Sequence, residues 1–292
     1  MRQRLRLPRD AGDGPRQTLR AVISDVILPL DRDALRRQFV TADPFPFLVI
    51  DEFLDPAFAR EVAAAYPSYE AARERGLSFD YVNERNKVQI TDAAKFPAPV
   101  KRLHDAISSQ QFRDELSFIT GIPKLLDDPQ MVGGGMHVTG TQGRLDVHVD
   151  FNLLEDRRWH RRLNILIYLN ADWNPQWGGA IELWDQRVKD CKQSLSPRLN
   201  RCVVFETSER SFHGVSAVQC PPEIVRKSFA AYYYTREAPA GWDGREHSTV
   251  FRARPDERLR GYVLMPAEKL QLMVGRGIKR VVGAVRRRLP GA

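Results

Sequence analysis

The spacing of hydrophobic residues along the chain changes near residue 131. Upstream of this point, apolar residues recur every three or four positions, which predicts helices. The stretches with this spacing are residues 28–40, 55–66 and 101–120. Asp55 and Pro56 suit the N-cap and the first turn of the second stretch. A short apolar run at residues 45–50 predicts a strand, and Pro46 within it favours an edge position in a sheet.

Between residues 131 and 236 the apolar segments are short and are separated by Gly, Pro, Asn and Asp, as in strands joined by turns. Gly178 and Gly179 suit a tight turn into one of these strands. The pattern predicts a mainly β protein with flanking helices. Its core is expected to be a double-stranded β-helix, a jelly-roll of two facing sheets, with the upstream helices covering one sheet.

These patterns divide the chain into four segments. They are a flexible basic leader (residues 1–20), helices and a strand that brace the core (21–130), the double-stranded β-helix core (131–236) and a C-terminal extension (237–292). In the extension, residues 268–288 place apolar and basic side chains at helical spacing. Such a helix can dock on the core with its basic face in solvent, or make weak contact with an anionic surface. Both interpretations remain open.

Composition agrees with an enzyme of a reducing compartment. The chain has 292 residues, a formal net charge of +8 and 42% hydrophobic residues, which is ordinary for a globular protein. No apolar run reaches membrane-spanning length, and the N-terminus lacks the apolar stretch of a secretory signal. Cys191, Cys202 and Cys220 show no paired pattern, so we expect no disulfide and a cytoplasmic location.

The candidate chemistry begins at His148 and Asp150. Two residues apart on an extended segment, they point to one face, while Val147 and Val149 pack on the other. His213 follows a very apolar strand and can supply a third ligand from across a closed β-structure. Two imidazoles and one carboxylate form the facial triad of non-haem Fe(II) oxygenases, which leaves coordination positions open for a co-substrate and O2.

A second group of residues suits a carboxylate. Arg226 and Ser228 lie two positions apart on one predicted strand, and small Ala230 leaves room beside them. A guanidinium binds a carboxylate through two parallel charge-assisted hydrogen bonds, and Ser adds a neutral donor. Tyr168 lies in a strand too apolar to face water on either side, so its hydroxyl needs a partner, either a bound carboxylate or a backbone group. Together with the triad, these residues predict a 2-oxoglutarate-dependent oxygenase.

With these residues in place, the chain resembles the prolyl-4-hydroxylase-like branch of the 2-oxoglutarate/Fe(II) oxygenases. The resemblance runs from about Met131 to Arg236 and rests on a series of motifs in one order. They include His148-Val149-Asp150-Phe151-Asn152, Arg162-Leu163-Asn164, Tyr168-Leu169-Asn170, Trp177-Gly178-Gly179, Ser211-Phe212-His213-Gly214, Arg226-Lys227-Ser228 and Tyr232-Tyr233-Tyr234.

The resemblance implies roles for the residues singled out above. Fe(II) would be bound by the three residues of the triad. The distal carboxylate of 2-oxoglutarate would be held by Arg226 and Tyr168, with Ser228 assisting. O2 would be consumed, and ascorbate is a further candidate cofactor. Hypoxia-sensing members carry a Tyr early in the first core strand, whereas residues 131–137 here read Met-Val-Gly-Gly-Gly-Met-His, so we expect the substrate-side wall to differ.

The substrate is less constrained than the chemistry. The first interpretation is hydroxylation of a prolyl residue of a protein or peptide. The alternatives are the same chemistry on a small molecule or glycan of a biosynthetic pathway, and a metal-binding jelly-roll without oxygenase activity. A zinc site, however, has no need of a carboxylate clamp such as Arg226 and Ser228. We expect the loop at residues 152–161 to contribute to substrate choice, with Trp159 as an apolar wall and Arg157 or Arg158 attracting an anionic group.

Overall fold

The structure of the protein is a computed structural model that describes residues 25–257 and 264–265. Within these residues the chain forms one curled antiparallel sheet of 13 strands, flanked by five α-helices and two short 3-10 helices. The predicted class is confirmed: the protein is mainly β with flanking helices and has a jelly-roll core. Across the described residues, every helix is too short or too polar to span a membrane.

The helices of the described segment precede the long strands. They are α1 (Arg32–Thr41), α2 (Pro56–Ala64), α3 (Tyr69–Arg75), α4 (Ala98–Ser108) and α5 (Gln110–Thr120). The carboxylates of Asp31 and Asp55 accept backbone N–H groups in the first turns of α1 and α2, so side chains fix where these helices begin. Ser109 separates α4 from α5, so the predicted stretch at residues 101–120 is two helices. Gly121 ends α5 in a left-handed conformation with a φ of 74°.

The strands, in chain order, are β1 (Phe47–Ile50), β2 (Leu77–Phe79), β3 (Glu84–Ile90), β4 (Leu126–Asp127), β5 (Gly135–Val149), β6 (Leu153–Leu154), β7 (Trp159–Tyr168), β8 (Ile181–Trp184), β9 (Cys191–Leu195), β10 (Arg201–Glu206), β11 (His213–Val215), β12 (Arg226–Thr235) and β13 (Val250–Arg252). The central path runs β1-β10-β7-β12-β5-β11-β8-β9. β1 lies at one end of this path, as Pro46 predicts. The 15-residue β5 is the longest strand of the described segment and also pairs with β3 and β13.

Strand β7 has one face in the apolar core and the other face in the cavity inside the roll. Leu163, Ile165 and Ile167 are fully buried in the apolar core that the sheet shares with the helices. The alternate residues Asn164 and Leu166 face the inside of the roll, where they line a cavity. The period of two along a strand therefore places one side of β7 in the structural core and the other in the candidate site.

The N-terminal part is attached to the roll through buried polar contacts. Asn200, just before β10, accepts from the backbone N–H of Leu54 at 2.8 Å and donates to the Leu54 carbonyl at 2.7 Å. The next residue, Arg201, donates from Nε and Nη2 to the Asp51 carboxylate at 2.6 and 2.9 Å. These contacts fix the turn between β1 and α2 against the sheet.

Strands from both sides of residues 131–236 join the sheet. β3 and β13 pair with β5, so the sheet is built from more of the chain than the predicted core segment. All three cysteines are free thiols. The predicted leader at residues 1–20 and the basic helix at residues 268–288 lie outside the described residues.

Candidate active site

The structure brings His148, Asp150 and His213 together inside the roll. His148 and Asp150 extend from the end of β5, and His213 opens β11, directly opposite His148 in the antiparallel register. One ligand atom from each of the three residues lies within 4.8 Å of the others. Nε2 of His148 is 3.5 Å from Asp150 Oδ1, and Nε2 of His213 is 3.6 Å from Asp150 Oδ2. Two imidazoles and one carboxylate converging in this way fit three positions of an octahedral metal.

Backbone carbonyls orient both imidazole rings. Nδ1 of His148 donates to the carbonyl of Asp146 at 2.9 Å, and Nδ1 of His213 donates to the carbonyl of Ser211 at the same distance. In the neutral ring the proton then resides on Nδ1, which leaves a lone pair on Nε2 towards Asp150. Second hydrogen bonds of this kind are usual for metal-ligating histidines.

The Asp150 carboxylate is held by two residues of β7. Asn164 donates from Nδ2 to Asp150 Oδ2 at 2.7 Å, and Arg161 Nη2 lies 3.2 Å from the same oxygen. Arg161 also donates to the Asn164 side-chain carbonyl at 2.9 and 3.1 Å and stacks on the Tyr232 ring, 3.6 Å from its centroid. These contacts engage Oδ2 and leave Oδ1 on the side of His148.

Protonation in the site favours metal binding. Burial opposes the charge of Asp150, but Arg161 and the two histidines outweigh it, so the pKa of this carboxyl lies well below its ordinary value. Burial, reinforced by the neighbouring His148, lowers the pKa of His213 to about 4. At neutral pH the aspartate is therefore charged and the His213 ring is neutral, which are the forms that bind a metal ion.

The predicted carboxylate-binding residues lie together on the neighbouring strands. Arg226 and Ser228 are buried, and the Arg226 Nη1 atom is 3.4 Å from Ser228 Oγ. Tyr168 is directly opposite Ser228 in the register of β7 and β12, and its ring centroid is 5.0 Å from the Arg226 guanidinium carbon. The Tyr168 hydroxyl is fully buried and has no hydrogen-bond partner among the described residues. A buried hydroxyl without a partner beside a buried arginine suits a bound carboxylate.

Gly179 positions the Arg226 side chain. Its carbonyl accepts from Arg226 Nε at 2.6 Å. Gly179 has a φ of 69°, and a Cβ atom there would lie 3.0 Å from Arg226 Cδ and 3.2 Å from Trp173 Cζ2. The predicted glycine turn before β8 therefore does more than reverse the chain, because it forms a close-fitting wall for the arginine.

The two groups share one cavity, whose empty space is about 620 Å³ when its open mouth is counted. The triad lines it together with Arg226 and Ser228, and Tyr168 lies next to these two residues without being among the lining residues. Apolar side chains complete the lining: Leu145, Leu166, Ile181, Phe205 and Val215. A small dicarboxylate can therefore lie between the arginine and the metal ligands.

Several residues of this cavity have no role assigned from the sequence patterns. Lys87 comes from β3, and His137, Thr139 and Arg144 come from β5. Of these, only His137 lies in the stretch at residues 131–137 where the chain departs from the hypoxia-sensing pattern. The contact of Arg161 with Asp150 depends on a register shift between β7 and β12 at Tyr233 and Tyr234, for which the sequence contains no clear signal.

The loop at residues 152–161 forms a short hairpin of β6 and β7. Trp159 packs near Tyr234, with ring centroids 6.4 Å apart, and is not among the described residues that line the cavity. Arg157 pairs with Asp128 at 3.1 Å, and Arg158 pairs with Glu246 at 2.6 Å. In this conformation the three side chains proposed for substrate choice make contacts within the protein.

Known proteins resemble the chain in the region of this site. Residues 134–234 match the family model of the 2OG-Fe(II) oxygenase superfamily. The chain is 27% identical over 225 residues to the prolyl 3,4-dihydroxylase OGFOD1 of Ostreococcus tauri, covering 72% of this chain and 42% of that protein. It is 34% identical over 84 residues to the prolyl 3-hydroxylase OGFOD1 of Mus musculus, covering 27% of this chain and 15% of that protein. The chain thus spans less than half the length of these curated relatives.

Solved structures share the fold. A prolyl 4-hydroxylase from Phytophthora capsici superposes with a TM-score of 0.51 at 17% identity, covering 89% of this chain and 91% of that one. A prolyl-4-hydroxylase from Pseudomonas putida superposes with a TM-score of 0.50 at 17% identity, covering 70% of this chain and 99% of that one. These structures show the shared fold. The family match and the curated relatives confirm the resemblance to prolyl-hydroxylase-like oxygenases, a family that uses Fe(II), 2-oxoglutarate and O2.

Proposed function

We propose that this chain, whose residues 134–234 form a 2OG-Fe(II) oxygenase domain, is a dioxygenase that hydroxylates a prolyl residue of a protein or peptide. One observation supports the proposal most strongly. A two-histidine, one-carboxylate ligand set opens into the same cavity as a buried arginine and serine. A metal site without such a clamp would suit many functions, whereas the combination suits an oxidation that consumes a dicarboxylate.

His148, Asp150 and His213 are the residues proposed to hold Fe(II). When bound, the iron supplies, with O2 and 2-oxoglutarate, the oxidising power to hydroxylate an unactivated C–H bond. The chain contributes three ligands at one end of the cavity and apolar side chains in part of its lining. A metal ion held by these three residues would border the cavity, whose apolar side chains would limit the access of water.

Arg226, Ser228 and Tyr168 are the residues proposed to hold the distal carboxylate of 2-oxoglutarate. Burial lowers the pKa of Arg226, but the ordinary value of a guanidinium is so high that the side chain stays charged. Burial raises the pKa of Tyr168, which keeps its hydroxyl a neutral donor. The clamp therefore offers one positive charge and two hydroxyl donors to one carboxylate.

The prolyl substrate is supported by the names of the curated relatives and by the apolar residues of the cavity. Both curated relatives are named as prolyl hydroxylases, one for position 3 and one for positions 3 and 4 of the ring. Leu145, Leu166, Ile181, Phe205 and Val215 give the cavity an apolar part, which suits contact with a pyrrolidine ring.

Anaerobic spectroscopy and product analysis test the proposal together. Adding 2-oxoglutarate to the Fe(II)-loaded protein without O2 should produce a metal-to-ligand charge-transfer band, and the Arg226→Met variant should need much more 2-oxoglutarate to reach it. With O2, a panel of proline-containing peptides should increase succinate formation and gain one oxygen atom each. If no band forms, the oxygenase assignment fails. If the band forms but small metabolites or glycans are oxidised and peptides are not, the prolyl assignment fails.

Two further details belong to the same proposal. We propose that ascorbate sustains turnover, which succinate formation over many cycles with and without ascorbate would test. We also propose a cytoplasmic location, supported by the three free thiols, of which Cys202 and Cys220 are buried. Fractionation of cells that express the tagged protein would test the location.

A further inference from the structure

Two rows of cross-strand neighbours form one wall of the cavity. In the first row, His137 of β5 lies opposite Ser228 of β12, which lies opposite Tyr168 of β7. In the second row, Lys87 of β3 lies opposite Thr139 of β5, which lies opposite Arg226 of β12. Directly paired residues share one face of a sheet. The rows that contain the proposed carboxylate-binding residues therefore extend across β5 and β3. Lys87 is the last residue of the row that contains Arg226.

Lys87 is placed to reach the same volume as Arg226. Two strand spacings separate their Cα atoms by about 10 Å, and both side chains are long. Both line the cavity, and both act electrostatically on the buried His137 between them. A five-carbon dicarboxylate held at Arg226 therefore lies within reach of the Lys87 ammonium.

Burial restricts the kind of anion that Lys87 can meet. Lys87 is only 9% exposed, so its side chain is largely shielded from bulk water. Glu84 accepts one hydrogen bond from Nζ at 2.7 Å. An ammonium has three donors, so two remain for other partners. Arg144, the other cation along this wall, already contacts two carboxylates, Asp146 at 2.6 Å and Glu257 at 2.8 Å.

Resting on the proposed function, we propose that Lys87 is a second co-substrate-binding cation, whose ammonium contacts a carboxylate of 2-oxoglutarate held in the cavity with Arg226. Lys87 lies outside the segment that matches the oxygenase family, on a strand that the hydrophobic pattern does not predict. The inference concerns affinity for the co-substrate, because nothing places Lys87 against the metal ligands.

If Lys87 had a purely structural role, substitutions of Lys87 and Glu84 would have different effects from those expected for co-substrate binding. If the lysine serves only to pair with Glu84, then removing either partner should have the same consequences. If it binds the co-substrate, the two substitutions should act in opposite directions. Lys87→Met removes the charge that attracts the dicarboxylate, whereas Glu84→Gln removes a competing negative charge.

Calorimetric titration of 2-oxoglutarate into the Mn(II)-loaded protein without O2 measures this affinity independently of turnover. Lys87→Met should weaken binding about tenfold or more, as expected for loss of a hydrogen bond between charged groups. Lys87→Arg should restore most of the affinity, and Glu84→Gln should bind more tightly than the unmodified protein. Glutarate titrated into the metal-free protein should show the same order, since no chelation contributes there. Thermal unfolding of each variant gives the loss of stability from the broken ion pair.

The outcomes separate this inference from the proposed function. If the unmodified protein does not bind 2-oxoglutarate, the proposed function fails. If it binds and Lys87→Met binds within twofold of it, the inference about Lys87 is overturned while the function stands. Equal weakening by Lys87→Met and Glu84→Gln also overturns it, because both would then act through the ion pair. Should Lys87→Met fail to fold, Glu84→Gln decides: tighter binding supports the inference, and unchanged or weaker binding overturns it.

Discussion

Asp150 is the residue of the metal site whose geometry depends most on its neighbours. Its Oδ2 atom is engaged by Asn164 at 2.7 Å and by Arg161 at 3.2 Å. Both neighbours come from β7, a different strand from the one that carries the carboxylate. The orientation of this ligand therefore depends on how β7 lies against the end of β5, in addition to the His-x-Asp motif itself.

Asn164→Ala should weaken metal binding although it removes no ligand. Loss of a hydrogen bond to a metal ligand typically costs about 10- to 100-fold in affinity, because the ligand loses its fixed orientation. Titration with Mn(II) followed by electron paramagnetic resonance measures the change. Asn152→Ala is a matched control, since its side chain bonds Glu209 and the Arg245 carbonyl instead. Equal affinities in the two variants would show that Asn164 does not support the site.

His137 should make the metal-free protein less stable in mild acid. Burial, reinforced by Lys87, lowers the pKa of His137 well below its ordinary value of 6.5. As pH falls below 6.5, the unfolded chain therefore binds a proton at this residue while the folded chain does not, and stability is lost. One such group contributes at most about 1.4 kcal/mol per pH unit.

Urea unfolding of the metal-free protein between pH 7.5 and pH 5 tests whether stability falls as the pH is lowered. The free energy of unfolding should fall with decreasing pH, and His137→Gln should reduce the slope. An unchanged slope in the variant would mean that other groups account for the acid sensitivity.

At the scale of the elements, the glycine turn into β8 positions Arg226 of the proposed carboxylate clamp. Gly179 accepts a hydrogen bond from Arg226, and a Cβ atom there would lie only 3.0 Å from Arg226 Cδ, so the arginine would have to shift. Gly179→Ala should therefore displace the arginine and raise the 2-oxoglutarate concentration needed for half-maximal succinate formation severalfold. Metal affinity should stay unchanged, because the triad belongs to β5 and β11.

Gly241→Ala provides the control for backbone strain. Gly241 has a φ of 77°, close to that of Gly179, but a Cβ atom there meets nothing within 4 Å. Both substitutions carry the cost of a left-handed alanine, about 1–2 kcal/mol, but only one disturbs Arg226. If both variants need the same extra 2-oxoglutarate, the effect of Gly179→Ala comes from general destabilisation.

Sequence patterns predicted some elements better than others for physical reasons. β5 and β7 have clear alternation or continuous apolar character, and the residues on their inner faces could be assigned from it. β3 reads Glu-Arg-Asn-Lys-Val-Gln-Ile and has only two apolar residues, so hydrophobicity alone gives little indication of a strand. Lys87 was missed for this reason. Arg161 was missed because a register shift determines which way its side chain points.

At the scale of the whole molecule, Asn200 links the N-terminal brace to the roll. It exchanges two buried hydrogen bonds with the backbone of Leu54, 146 residues away in the chain. Asn200→Ala would leave a buried N–H and a buried carbonyl without partners, at a cost of about 1–3 kcal/mol for each. Chemical unfolding should show a clear loss of stability, with little change in metal affinity.

Asn174→Ala serves for comparison. This asparagine also accepts a backbone N–H, from Gln176, but it does so at the surface, where water can replace it. It should cost much less stability than Asn200→Ala. Similar losses in both variants would argue that the contact with Leu54 does not anchor the brace. No sequence pattern could have revealed this contact, since the residues it joins are neighbours only after folding.

The pairing of β13 with β5 bears on how the protein can be shortened. Val250, Phe251 and Arg252 lie opposite Val149, His148 and Val147, and the Phe251 ring is 5.3 Å from the His148 ring. A chain trimmed to the segment that matches the oxygenase family would keep the three proposed metal ligands but leave these backbone groups open to solvent. Exposed strand edges recruit other chains, so the trimmed protein would be prone to self-association at its own catalytic strand. The smallest part of the chain to express as a unit should therefore extend at least to residue 257.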